Sequence, residues 1–228
     1  MSNVFSTESA GEAFLVDPPG GASGPGVLVL HSWWGLTDDV RDYCRSIAAE
    51  GYTVLAPDLL HGATPQSDLE AAAVLAEQAP DQLAGLVMSS AHTLRACSLD
   101  PNAEIAVIGF AMGGSLGLWL STRLTTVVSG VVTYYGAQSI DFDEADARYL
   151  GHFGDADEIV SEEDRVTTEA FIRLGGSDTE WHLYEGCDHF FAEPGRRHDA
   201  EAAELAMGRT TAFLAEVLGS TPAETADA

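Results

Sequence analysis

Short, continuous apolar runs alternate along the chain with longer stretches in which apolar positions recur every third or fourth residue. That alternation predicts strands separated by helices. Residues 26–30, 53–56 and 105–108 are unbroken apolar runs, the pattern of strands buried on both faces. A first edge strand is expected over 13–16, before the turn Asp17-Pro18-Pro19-Gly20-Gly21, with further strands over 127–135, 149–153 and 178–184. Helices are expected over 39–50, opened by Thr37-Asp38-Asp39 and closed by Gly51, over 68–78 and 82–97 separated by Pro80, and over 112–123. Ser161-Glu162-Glu163-Asp164 reads as a capping box that opens a helix to about residue 174, and 200–218 reads as a long closing helix. A helix between consecutive strands forces a crossover, and crossovers make neighbouring strands parallel with right-handed connections. The class is therefore α/β, a mostly parallel central sheet with helices on both faces. A single domain over 13–218 is expected, with tails at 1–12 and 219–228.

Composition adds limits rather than structure. The chain has 228 residues, 46% hydrophobic and 20% charged, long enough for a sizeable core. No apolar run approaches the roughly 20 residues that span a bilayer, and no leader-like segment opens the sequence, so a cytoplasmic protein is expected. Cys44, Cys97 and Cys187 are odd in number and lack metal-ligand spacing, which predicts neither a disulfide framework nor a metal site. Ten cationic residues, all arginine, stand against 36 acidic ones, for a net charge of -26. Such a surface repels nucleic acid and anionic membranes and raises the cost of approach for an anionic substrate.

The densest chemical signal is Ile105-Ala106-Val107-Ile108-Gly109-Phe110-Ala111-Met112-Gly113-Gly114, where a strand enters a glycine-flanked turn and leaves as a helix. A nucleophile elbow requires small neighbours, because its apex residue occupies a strained conformation that lifts the side chain above the sheet. Here the apex is Ala111, which has neither hydroxyl nor thiol. An ordinary strand-to-helix turn is the weaker, competing account of the glycines at this point. Two later strand ends carry further candidates, Gly154-Asp155-Ala156-Asp157 and Gly186-Cys187-Asp188-His189-Phe190-Phe191. Apex, acid and histidine on successive post-strand loops follow the chain order of a hydrolase triad, in which a carboxylate orients the histidine and the histidine deprotonates the nucleophile. Asp157 is the first choice for the acid, with Asp155, Glu158 and Asp188 as rivals. Ser32, Ser115 and Cys187 are alternative nucleophiles of lower rank. The pair Trp33-Trp34 ends the strand at 26–30, where open α/β sheets bind ligands. No cofactor or metal is expected: GxGxxG and HExxH patterns are missing, and a chain without lysine cannot form a P-loop.

Taken together, Val29-Leu30-His31-Ser32-Trp33-Trp34-Gly35-Leu36, Gly51-Tyr52-Thr53-Val54-Leu55-Ala56-Pro57-Asp58-Leu59, Gly109 to Gly114, Phe153 to Asp157 and Tyr184 to Phe191 resemble the dienelactone hydrolase family of α/β hydrolases. The resemblance covers roughly residues 13–218. It implies an α/β-hydrolase fold and hydrolysis of a small ester or lactone through a Ser or Cys, Asp and His site. By resemblance the nucleophile position is Ala111, the acid Asp157 and the base His189, with an oxyanion hole from the backbone N–H groups of Trp33 and Met112. Ser32, Trp34, Phe110, Tyr135, Phe190 and Phe191 would line the substrate pocket.

Three departures from the family pattern stand out. Ala111 removes the nucleophile, and Ser32 stands where some members carry an activating acid. Glu193 replaces an arginine that holds a substrate carboxylate in the type enzymes, with Arg196 and Arg197 close enough in sequence to compensate. A neutral ester or lactone is therefore expected, and a monomer or small homo-oligomer. Ala111 is compatible with an inactivated hydrolase, with a non-catalytic relative that binds a small molecule in the former pocket, or with water-mediated chemistry by Asp157 and His189.

Overall fold

The computed structural model describes residues 3–6, 12–195 and 197–219. Eight strands form one sheet: β1 (Asn3–Ser6), β2 (Glu12–Val16), β3 (Gly26–Leu30), β4 (Thr53–Pro57), β5 (Ile105–Phe110), β6 (Val128–Tyr134), β7 (Arg148–Gly154) and β8 (Thr179–Tyr184). Their spatial order is β1-β2-β4-β3-β5-β6-β7-β8, with β1 and β2 antiparallel to their neighbours and every other pair parallel. Six helices connect them: α1 (Asp38–Ala49), α2 (Asp68–Ala76), α3 (Pro80–Cys97), α4 (Met112–Ser121), α5 (Glu162–Leu174) and α6 (Ala200–Leu218).

Side-chain alternation along the central strands divides the interior into two layers. Val27, Val29, Ala106, Ile108 and Val132 face α1 and α6, meeting Val40, Cys44, Ile47, Ala206 and Leu214. Leu28, Leu30, Val107 and Val131 face α3, α4 and α5, meeting Val87, Leu94, Leu118 and Ile172. Central strands buried on both sides need the unbroken apolar runs seen in the sequence.

Two local readings change. Pro80 does not separate helices but is the first residue of α3, where its missing N–H costs no helical hydrogen bond. Asn3–Ser6, inside the stretch expected as a tail, pairs antiparallel with β2 and extends the sheet. Asn3-Val4-Phe5-Ser6 is too short, with its two apolar residues adjacent, to show the alternation that announces a strand. Of the expected tail at 219–228, only Gly219 lies among the described residues. The capping box at Ser161 is formed in both directions, with Asp164 N–H donating to Ser161 Oγ (3.1 Å) and Ser161 N–H to Asp164 Oδ2 (3.3 Å). Among the described residues, no helix is long and apolar enough to cross a membrane.

Candidate active site

The turn from β5 into α4 is a formed elbow. Ala111 has φ 49° and ψ -112°, a conformation that L residues rarely occupy. Its N–H donates to Tyr134 O (2.9 Å), and its carbonyl accepts from Ser115 N–H (3.1 Å). The flanking glycines are steric requirements: a Cβ on Gly109 would lie 2.2 Å from Gly113 O, and one on Gly113 would lie 2.2 Å from Leu30 O. Met112 is the first residue of α4, so its N–H belongs to the helix terminus that has no acceptor within the helix.

The acid and the histidine meet across two loops. His189 Nδ1 lies 2.7 Å from Asp157 Oδ2, with both side chains almost wholly buried. Asp157 Oδ1 accepts from Ile159 N–H (2.8 Å) and Val160 N–H (2.9 Å), which fixes the carboxylate. A carboxylate accepting at Nδ1 places the proton on that nitrogen and leaves Nε2 as the basic atom. The two loops approach because β7 ends in Gly154, where a Cβ would stand 2.1 Å from Cys187 O, and because Ala156 N–H donates to that same carbonyl (3.0 Å).

Two of the rivals for the acid, Asp155 and Asp188, are occupied elsewhere. Asp155 Oδ1 accepts from Gly186 N–H (2.6 Å), and Asp188 pairs with Arg197 at 3.3 Å. Backbone strain gathers around the histidine. Of the four non-glycine residues with positive φ among the described residues, Ala111 is one, and Tyr135 (φ 45°) and Phe190 (φ 67°) place their rings 4.8 and 4.3 Å from the His189 ring.

Beside this set lies a carboxyl group that sequence reasoning noted as a departure and did not place in the site. Glu193 Oε1 accepts from Ser32 Oγ (2.6 Å) and Oε2 from the Tyr135 hydroxyl (2.9 Å). Burial pushes its pKa up to about 7, with the neighbouring Asp39 charge adding to the shift against the two hydroxyl donors. Ser32 therefore does not stand as a nucleophile: it is fully buried, donates to Glu193 and accepts from Trp34 N–H (3.3 Å). Ser115 is likewise committed, its hydroxyl donating to Ala137 O (2.9 Å), and the Cys187 thiol is buried and pushed up in pKa by desolvation.

Two contiguous cavities share Trp34 and Glu193 on their walls. One, of about 260 Å³, is bounded by Trp34, Tyr43, Phe110, Glu193, Met207 and the rim residue Asp39. The other, of about 720 Å³, runs past Phe190 toward Asp68 at the start of α2. Of the expected pocket residues, Trp34, Phe110 and Phe190 line these spaces, while Ser32 and Tyr135 stand behind Glu193. Phe191 is a correction: it is wholly buried against Tyr184 and Tyr135, with ring centroids at 4.7 and 5.6 Å, and belongs to the core.

Arg197 does not offer a free guanidinium. It pairs with Asp68 (3.2 Å) and Asp188 (3.3 Å) and lies 5.5 Å over the Phe190 ring. Arg196 lies outside the described residues. Tyr43 was not singled out from sequence, where it is one more position on an amphipathic helix. Among the described residues no cluster of His, Cys, Asp and Glu is arranged to hold a metal ion.

His31 supports the loop that carries Ser32 and Trp33. Its Nε2 accepts from Leu59 N–H (2.9 Å), so Nδ1 carries the proton and donates to Ser32 O (2.6 Å). Desolvation lowers its pKa to about 4, which keeps the ring neutral and ties the end of β3 to the loop after β4.

Protein usf of Aquifex pyrophilus is 26% identical over 206 residues, covering 86% of this chain and 89% of that protein. An Azospirillum brasilense protein with the provisional name carboxymethylenebutenolidase is 29% identical, covering 91% of this chain and 94% of its own. Among solved structures, the dienelactone hydrolase-like promiscuous phosphotriesterase from metagenomic libraries superimposes with a TM-score of 0.82 at 20% identity, covering 96% of this chain and 98% of that one. A thermophilic esterase of Thermogutta terrifontis does so with a TM-score of 0.76 at 15% identity, covering 98% and 95%. These two structures share the fold. The sequence model of the dienelactone hydrolase family matches residues 12–218, the whole sheet from β2 onward with the elbow, the acid and the histidine, and the chain belongs to that family.

Proposed function

We propose that the chain is a hydrolase scaffold for a small, uncharged ester or lactone, with Asp157 and His189 as orienting acid and general base and with the nucleophile position vacated at Ala111. The observation that carries this reading is the His189–Asp157 hydrogen bond of 2.7 Å, made between the loops after β7 and β8, on the same end of the parallel sheet as an elbow whose apex keeps φ 49° without a reactive side chain. Backbone N–H groups of Met112 and Trp33 would receive the developing oxyanion, the usual use of a helix terminus beside an elbow. Glu193, in place of a cationic group, argues against an anionic substrate, as does the net charge of -26. The same charge argues against nucleic-acid partners.

The test is hydrolysis of short-chain aryl esters and simple lactones by the chain as it stands and by Ala111→Ser and Ala111→Cys. At least one replacement is expected to turn over, and adding His189→Ala is expected to lower its kcat/KM by about 10³-fold or more. Inactivity of both folded replacements across the panel overturns the reading. The chain itself is expected to show at most the residual acceleration that binding and an oxyanion hole leave behind, ~10³ to 10⁴-fold over water. The roomy, aromatic-walled cavities favour one second reading, a non-catalytic relative that retains small-molecule binding. It predicts saturable binding with no gain from restoring a hydroxyl or thiol.

A further inference from the structure

The smaller cavity has walls of an unusual kind. Trp34, Tyr43 and Phe110 supply aromatic surface and Met207 a polarisable thioether, and three acidic residues share the wall. Glu193 lies on the wall, Asp39 and Asp42 at the α1 side. Asp42 is paired with Arg45, but Asp39 has no ion-pair partner among the described residues and contributes to the raised pKa of Glu193. Among the described residues no arginine lines the cavity, and His198 is the one basic residue on its wall. Two carboxyl groups that repel each other beside aromatic side chains, with no arginine among the described residues of the same wall, form a site that one positive charge would relieve.

We infer that this cavity is a subsite for a small organic cation, an ammonium or quaternary ammonium group held by the Trp34 and Tyr43 rings and by the Glu193 carboxylate. Aromatic faces attract such cations through their quadrupole, and desolvation in a cavity strengthens both that attraction and the carboxylate contact. The volume of about 260 Å³ has room for a trimethylammonium group with a short alcohol attached. The larger cavity is the poorer choice, because Arg197 already lies over Phe190 on its wall. The inference deepens the hydrolase reading and rests on it only in assigning the cation to an ester's substituent. The scissile group stays uncharged, and the cation sits by Phe110, which precedes Ala111 in the chain.

The groups that face Glu193 set how binding varies with pH. They are Asp39, Asp42 and Tyr43 from α1, Ser32 after β3, Tyr135 after β6, and Arg197 and His198 from its own loop. Glu193 ionises within the neutral range, so binding strengthens as pH rises from 6 to 8.

The experiment is calorimetric titration of the protein as it stands with choline and with its uncharged isostere 3,3-dimethylbutan-1-ol, at pH 8 and low salt. Choline is expected to bind at least tenfold more tightly. Glu193→Gln is expected to reduce that ratio to under threefold while leaving the isostere's affinity unchanged, which shows the cavity intact. Trp34→Leu is expected to weaken choline more than the isostere. Equal affinities, no saturation with choline in the millimolar range, or a ratio that survives in Glu193→Gln overturns the inference. Because binding is read without chemistry, its failure is distinct from inactivity of Ala111→Ser on a neutral aryl ester, which bears on the hydrolase reading alone.

Discussion

Ala111 holds a backbone conformation that exists elsewhere to present a nucleophile, and it holds it without one. A non-glycine residue there is strained by about 1–3 kcal/mol, and glycine relieves the strain at a cost of about 0.5–1 kcal/mol in unfolded-chain entropy. Ala111→Gly is therefore expected to stabilise the fold by about 1 kcal/mol and to raise the melting temperature by about 3 °C, measured by thermal unfolding. No change, or a loss, would mean that the elbow is relaxed as it stands. The strain itself was not legible in the sequence, since alanine is silent about φ. Only the steric demand around it was legible, as Gly109 and Gly113, and the structure shows both to be contacts against backbone rather than turn punctuation.

Elements were legible where burial dictates composition. The strands at 26–30, 53–57 and 105–110 stand where the apolar runs stand, because a strand covered on both faces tolerates little else. Glycine shows how position decides the effect of one substitution. Gly113→Ala drives a Cβ into Leu30 O at 2.2 Å and His31 O at 2.7 Å, prising α4 from the end of β3, and is expected to cost about 3 kcal/mol in urea denaturation. Gly208→Ala, on the exposed side of α6 with nothing within 4 Å, is expected to stabilise by roughly 0.5–1 kcal/mol in the same measurement. Equal effects at the two sites would contradict the close approach.

What no pattern announced was the buried polar stitching under α6. Thr210 Oγ1 meets the Tyr134 hydroxyl (2.7 Å) and His152 Nε2 (3.1 Å), and His152 Nδ1 meets the Tyr184 hydroxyl (2.8 Å). Arg209 donates to that hydroxyl in turn (3.1 Å). These groups lie up to 76 residues apart, and their partners follow from topology rather than from neighbours in sequence.

Over the whole molecule, two buried titratable groups bend the stability curve in opposite senses. His31 is held neutral, its pKa lowered to about 4, so its contribution is complete above the unfolded value near 6.5 and is lost as pH falls from there toward 4. Glu193 is raised from 4.5 to about 7, so the folded state keeps a proton that the unfolded chain has shed. Stability falls as pH rises across that interval, by on the order of 2 kcal/mol for a partly exposed carboxyl. Glu193→Gln is expected to raise the melting temperature at pH 8 relative to the parent and to leave it nearly unchanged at pH 5. A variant that parallels the parent across this range would remove Glu193 as the source of the alkaline loss. Fold class and the chain order of apex, acid and histidine were readable at this scale because both are properties of the order of elements. The wall of the cavity was not, because Glu193, Asp39 and Tyr43 come together from a loop and a helix about 150 residues apart.

The elbow that stays wound around Ala111 also has a genetic meaning. Every alanine codon becomes a serine codon by a change of its first base, whereas cysteine requires at least two changes. The backbone that a hydroxyl would need is already in place, and His189 already stands against Asp157. A population carrying this gene lies one transversion from an oxygen nucleophile, so selection for growth on an ester would recover serine at position 111 ahead of any repair elsewhere in the chain.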